Sequence, residues 1–285
     1  MLPKHDQIRP HPTFEGIFVG VITSPLICQR VQRCRLWPEL LPAEQWSVYK
    51  AVIVEAYARD ITFAVGGGLS AMTYAGQWRN TKDIDLYVAP AQRERLIGVL
   101  RDLRLRDYYE KQAYDRSWIY RSYTADTIVD VMWAMANQRA QVDETWFDGP
   151  EVEVDGLCIR LLAPEKSLWT KLYVIQRDRT DWPDALNLLY GVGMELNWRG
   201  LLNDVAQDRA LLVGLLSVFA WLCPRKAELL PAWLWSELAM QPPPRDRLER
   251  DGSRAALLDS RPWFSPFLAE ANDGTAEPKE LEQEC

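Results

Sequence analysis

The chain has 285 residues and 48% hydrophobic content, enough for one large domain or two modest ones. A formal net charge of −7 argues against a protein that coats phosphate backbones indiscriminately, so a nucleic-acid partner would need a local basic patch. Five cysteines without a CxxC pair and two histidines, His5 and His11, argue against zinc and against Ser-His-Asp or Cys-His catalysis, and leave carboxylate, Lys, Arg or metal chemistry.

Residues 1–40 carry Pro3, Pro10, Pro12, Pro25 and Pro38 and show no regular pattern. The apolar run 17–28 is preceded by Glu15, broken by Pro25 and followed by no small-residue cleavage site. It is too short to span a bilayer, so a cytoplasmic chain without a membrane partner is expected. Cys28, Cys34, Cys158, Cys223 and Cys285 read as free thiols in a reducing compartment. The 13 tryptophans are expected to pack the core rather than stack on bases.

A helix opens at Pro42-Ala43-Glu44, with Trp46, Tyr49, Val52, Ile53 and Ala56 at helical spacing through Tyr57. A β-rich run over 61–65 ends in Gly66-Gly67-Gly68, and 69–75 read as a short helix stopped by Gly76. A strand over 84–88 and an amphipathic helix over 92–103 follow. Strands over 117–123 and 127–133 flank the turn-like Thr124-Ala125-Asp126. Strands over 151–154 and 157–162 flank Asp155-Gly156, a type I′ hairpin signal. Beyond Pro164, helices are expected at 165–176, 183–190, 201–222 and 232–240. From Gln241 the composition shifts to proline and charge, and 275–285 read as a disordered acidic end. The layout is an irregular extension (1–40), an α+β core with a mixed β-sheet (41–163), a helical part (164–240) and a poorly ordered acidic tail (241–285).

The chemistry concentrates around Thr81-Lys82-Asp83-Ile84-Asp85-Leu86. Residues two apart on a strand share a face, so Asp83 and Asp85 project together. Two adjacent carboxylates repel and raise each other's pKa, which a bound Mg²⁺ or Mn²⁺ relieves. Just upstream, three glycines run from a strand into a helix. Glycines there let backbone N–H groups approach a phosphate, and a helix N-terminus favours anions. Ser70 adds a hydroxyl. A phosphate loop beside a carboxylate pair is what a metal-bound NTP requires.

At these residues the chain resembles the nucleotidyltransferases of the DNA polymerase β superfamily. The glycine pair appears as Gly67-Gly68-Leu69-Ser70 and the acid-x-acid strand as Asp83-Ile84-Asp85. The longer phrase, Phe63-Ala64-Val65-Gly66-Gly67-Gly68 through Arg79-Asn80-Thr81-Lys82-Asp83-Ile84-Asp85-Leu86, resembles the bacterial minimal and AbiEii-type branch. The resemblance implies a third acid on a later strand, matched by Asp130, and a Pro-Glu-led helix with a lysine, matched by Pro164-Glu165 and Lys171. It also implies a role for the Arg/Asp-rich start of the next helix, at Asp181 or Asp184. It covers about residues 60–190.

By that resemblance Asp83, Asp85 and Asp130 would hold metal and, with Lys171, act in catalysis. Gly66, Gly67, Gly68, Ser70, Lys171 and Asp181 would contact the nucleotide. The implied activity is transfer of a nucleoside monophosphate from NTP to a hydroxyl on tRNA, protein or a small molecule, with a toxin-like role and a cognate antitoxin as one form. A non-catalytic nucleotide- or partner-binding module of the same fold is the alternative. Gly66-x-Gly68-x-x-Ala71 also fits a Rossmann dinucleotide fingerprint, but the helix ends after about two turns at Gly76, and Asp83 and Asp85 open their strand instead of closing it.

Overall fold

Alternation along the strands decides which side of the sheet is wet. The structure is a computed structural model that describes residues 37–78 and 81–243. The expectations for His5, His11, the run 17–28, Cys28, Cys34, Cys285 and the acidic end lie outside these residues.

Helix α1 (Trp37–Leu40) falls within the stretch expected to be irregular, and it precedes α2 (Ala43–Ala58). Strand β1 (Phe63–Val65) leads through the glycines into α3 (Gly67–Ala75), which begins two residues earlier than the sequence pattern indicated. Strand β2 (Asp83–Val88) and α4 (Arg93–Asp102) follow. A two-residue strand β3 (Arg106–Asp107), too short for a periodic signal, precedes β4 (Ile119–Thr124) and β5 (Thr127–Met132).

These five strands form one mixed sheet in the order β1-β2-β5-β4-β3. β1 and β2 are antiparallel, β2 and β5 parallel, and β5, β4 and β3 antiparallel in turn. The antiparallel β1–β2 pair excludes the Rossmann reading, which needs a parallel crossover at that point. Ile84, Leu86, Val88, Val129 and Val131 are almost fully buried on the face covered by α2 and α4. The intervening residues Asp83, Asp85 and Asp130 are therefore turned to the opposite face.

Strands β6 (Glu151–Val154) and β7 (Leu157–Arg160) make the expected hairpin. Asp155 (φ 50°) and Gly156 (φ 76°) both take the positive φ that a type I′ turn demands. The hairpin is tied to α2, where Trp46 Nε1 and Lys50 Nζ donate to Asp155 at 3.1 and 2.6 Å.

The remainder is helical: α5 (Pro164–Leu172), α6 (Trp182–Val192), α7 (Trp198–Val205), α8 (Arg209–Leu222), α9 (Pro224–Glu228) and α10 (Ala232–Glu237). Three expectations are corrected here. α5 ends at Leu172, because the following segment doubles back and the Asp181 amide donates to the Val174 carbonyl at 2.9 Å. The single helix expected over 201–222 is two, parted at Ala206, whose φ of 45° and ψ of −113° lie outside helical space. The last helix stops at Glu237, three residues short of the expected end, and the Ala239 backbone turns to φ 53°.

By length and composition the stretch Trp198–Leu222 is apolar enough to cross a membrane, with mean hydropathy 1.5. Core helices of soluble proteins pass the same test, and Leu201, Leu202, Leu212, Leu215, Leu216 and Phe219 from this stretch are core residues. Trp37, Trp46, Trp78, Trp133, Trp146, Trp169, Trp198 and Trp235 are buried as expected.

Candidate active site

The sheet's open face and the helical part enclose a cleft of about 850 Å³. An ion pair helps clasp the two sides. Arg139, from the loop after β5, pairs with Asp208 between α7 and α8, and Tyr173 after α5 donates its hydroxyl to the same carboxylate at 2.7 Å.

Three carboxylates meet at the floor of the cleft. The parallel β2–β5 register sets Asp85 directly beside Asp130, with Asp83 one pleat away on the same face. Each offers an oxygen within 4.8 Å of the others. Asp130 is fully buried, Asp85 is 9% exposed, and the Asp83 side chain is 35% exposed. Thr81 Oγ1 donates to Asp83 Oδ1 at 2.7 Å. Gln45 holds the Thr81 carbonyl at 2.8 Å, which fixes the entry to β2.

Burial, then the Asp83 and Asp130 charges, hold the Asp85 carboxyl well above the usual carboxylate range. Burial pushes Asp130 up to about 6, against the opposing pull of its hydrogen bonds from Arg121. Clustered carboxylates that resist ionisation in water-poor surroundings are suited to a hard divalent cation, which supplies the missing positive charge.

These directions give a stability prediction. A carboxyl whose pKa is raised on folding stabilises the folded chain below its unfolded pKa of about 4, and that contribution is lost as pH climbs through the folded value near 6. The melting temperature without divalent cation is therefore expected to fall between pH 4 and 7. Added Mn²⁺ should raise it strongly at pH 7.5 and hardly at all at pH 5, as read by thermal unfolding. An equal Mn²⁺ effect at both pH values would detach these carboxylates from the cation.

The glycines divide into two roles. Gly66 is buried, and its amide already donates to the Asp85 carbonyl at 2.9 Å, so it is not the phosphate donor expected. Gly67 and Gly68 line the cleft at the first turn of α3. Helix geometry leaves the first-turn amides without an intrahelical acceptor. Gly67 has φ 58°, and a Cβ there would lie 1.4 Å from Asp85 Oδ2.

Ser70 does not join them. Its hydroxyl is fully buried beneath the loop and lies 3.3 Å from Ser167 Oγ, tying α3 to α5. The helix direction turns a residue three positions past Gly67 inward, which removes it from the phosphate-contact set.

Lys171 lines the cleft and is almost fully buried. Its Nζ donates to Asp184 Oδ2 at 2.9 Å and lies 3.7 Å from Asp181 Oδ2. Asp181 sits at the N-cap position of α6, yet its carboxylate caps nothing and instead accepts from Arg179 at 3.2 and 3.3 Å. Both acids thus orient or neutralise cations at the cleft wall.

The structure adds Arg121, Thr81, Tyr87, Trp118, Thr170, Tyr173 and Arg179 to the lining. Arg121 faces Asp130 across β4–β5 and its guanidinium forms a two-pronged bond to that carboxylate.

No protein-family model matches the chain, and no curated protein matches it. Among solved structures it is similar to the solution structure of the antibiotic-resistance factor ANT(2'')-Ia, with 18% identity and a TM-score of 0.43, over 61% of this chain and 95% of that one. The crystal structure of ANT(2")-Ia with adenylyl-2"-tobramycin gives 17% identity and a TM-score of 0.43, over 62% and 99%. The lincomycin-bound lincosamide antibiotic adenylyltransferase LnuA gives 16% and 0.38, over 52% and 96%. At such scores the likeness carries no argument about activity, which rests on the site itself.

Proposed function

We propose that the chain transfers a nucleoside monophosphate from an NTP to a hydroxyl acceptor, with Mg²⁺ or Mn²⁺. The observation that supports this best is the convergence of Asp83, Asp85 and Asp130 within 4.8 Å at the floor of a cleft that the open first turn of α3 and Lys171 also line. Carboxylates for cations and amides plus a lysine for phosphates lie within one cavity.

Asp83 and Asp85 would hold the nucleotide-side cation, and Asp130 would share with them a second on the acceptor side. Bound cations would polarise the phosphoryl oxygens and make the acceptor hydroxyl easier to ionise. The Gly67 and Gly68 amides and Lys171 would neutralise the charge that builds on the departing pyrophosphate. With only one cation bound, Asp130, raised to about 6, would instead serve to accept the hydroxyl proton. Asp181 and Asp184 would keep Lys171 directed at the cleft.

The motif resemblance to the AbiEii-type branch supports a toxin-like form of this activity, with tRNA or a protein as acceptor and a cognate antitoxin as partner. One observation favours the second reading, a binding module of the same fold: both oxygens of Asp130 are taken by Arg121.

The deciding experiment incubates the purified chain with Mg²⁺ or Mn²⁺ and each α-³²P-labelled NTP, alone and with total RNA or candidate small-molecule acceptors. An Asp83→Ala/Asp85→Ala control runs beside it. Label on an acceptor, absent from the control, establishes transfer and names the acceptor class. NTP binding without label in any lane favours the module. Lys171→Met is expected to raise the KM for NTP roughly tenfold or more, the usual scale of a lost charged hydrogen bond. Initial rates against NTP concentration check it, and an unchanged KM would remove Lys171 from the phosphate side.

A further inference from the structure

Among the described residues, Asp130 is the one of the three carboxylates that accepts hydrogen bonds from a cation. Arg121 is its direct partner on β4. Nε donates to Oδ1 at 2.9 Å and to Oδ2 at 3.1 Å, and Nη2 donates to Oδ2 at 2.6 Å. Nη2 also lies 3.9 Å from Asp83 Oδ2. No side chain among the described residues donates to the Asp85 carboxylate, and Lys171 and Arg121 ease its charge through space. A divalent cation ligated by Asp83 and Asp85 therefore breaks no hydrogen bond of the guanidinium and meets only the long Arg121–Asp83 ion pair. A cation ligated by Asp130 has to displace at least one of Arg121's bonds.

We propose that Arg121 is a positioning residue that reserves the Asp130 carboxylate, so that two divalent cations enter the trio in order, the first at Asp83 and Asp85 and the second only as Arg121 withdraws. Two features make withdrawal feasible. The Arg121 side chain is 30% exposed, so releasing it does not strand a charge in an apolar layer. Its guanidinium also lies 5.7 Å over the Tyr108 ring, a face that supports a cation without a carboxylate. While in place, the two-pronged bond fixes the plane of the carboxylate and keeps Asp85 and Asp130 from facing each other unscreened. The inference rests on the trio being a cation site and is independent of what the cleft transfers.

The test uses the full chain at pH 7.5 with Mn²⁺ alone, bound ion being counted by electron paramagnetic resonance. The wild type is expected to show a tighter and a weaker Mn²⁺. Arg121→Gln should lower the melting temperature without Mn²⁺, yet tighten the weaker class by at least about tenfold, since it removes a cation a few ångströms from the incoming ion. Arg121→Lys, which keeps the charge and loses the fork, should fall between them. Arg116→Gln, which loses the pair with Asp107 and the cation stacking over Tyr109, neither of which touches the trio, should leave both classes unchanged.

A lowered melting temperature with an unchanged or weakened second class would make Arg121 a strut and overturn the inference. If Arg121→Gln does not fold, the wild type decides by Mg²⁺ titration of its arginine Nε–H resonances, with Arg121→Lys giving the assignment. The Arg121 signal should move with the second equivalent, and movement complete at the first overturns the order. Two Mn²⁺ of equal affinity in the wild type also overturn it. No bound Mn²⁺ at all removes the cation reading of the trio together with this inference.

Discussion

Asp85→Asn is expected to abolish nucleotidyl transfer and, in the same protein, to raise the melting temperature measured without divalent cation. The two effects share one cause. Asp85 is nearly fully buried beside Asp83 and Asp130, and its charged form is disfavoured by desolvation first and by its neighbours second. An amide keeps the shape and removes that cost. It also removes the anionic oxygen a cation needs, and losing several kcal/mol of charge stabilisation at the reacting phosphorus corresponds to about a thousandfold or more in rate.

The companion Asp130→Asn should also lose activity but should gain less in melting temperature, because relief of a buried charge is offset by taking the two-pronged partner from a partly buried Arg121. A larger melting rise in Asp85→Asn than in Asp130→Asn, with shared loss of turnover, is the signature to look for in a ³²P transfer assay paired with thermal unfolding. Turnover retained in Asp85→Asn would end the nucleotidyltransferase reading.

Gly67→Ala is expected to be nearly as damaging by a different route. The backbone there has φ 58°, which costs a non-glycine residue roughly 1–2 kcal/mol. The added methyl would sit 1.4 Å from Asp85 Oδ2, so the carboxylate or the helix start has to move. Either movement separates the phosphate amides from the metal-side oxygens. The variant should lose both Mn²⁺-induced stabilisation and NTP binding, measured by thermal unfolding and calorimetry. Gly98→Ala, which meets nothing within 4 Å, serves as the matched control. Intact NTP binding in Gly67→Ala would show that the loop and the acids act separately.

Much of the sheet was legible because its strands alternate. The DIDLYV pattern fixes which residues of β2 face the core and which face the cleft, and Asp130 stands out on an apolar strand for the same reason. The β4–β5 hairpin closes with Thr124 opposite Thr127, and counting back from that pair sets Arg121 opposite Asp130. Taking the turn as three residues, Thr124-Ala125-Asp126, hides this register.

Ser70 was misassigned because a hydroxyl beside a glycine loop reads as a donor whichever way the helix turns it. The break at Ala206 had no local signal, as neither glycine nor proline marks it. Asp208 just beyond the break is held by Tyr173 and Arg139, contacts from distant parts of the chain. The early end of α5 likewise follows from a loop pairing that helical periodicity does not encode.

The pairing of β2 with β5 also sets when the site comes into being. Arg121 and Asp130 belong to a tight hairpin, whose strands can find each other within microseconds. Asp85 meets Asp130 only through a parallel pairing across a long intervening stretch of chain, and such non-local contacts form slowly. During refolding, Asp130 therefore acquires its arginine before its fellow acid arrives. Recovery of cation binding should lag behind recovery of hairpin structure.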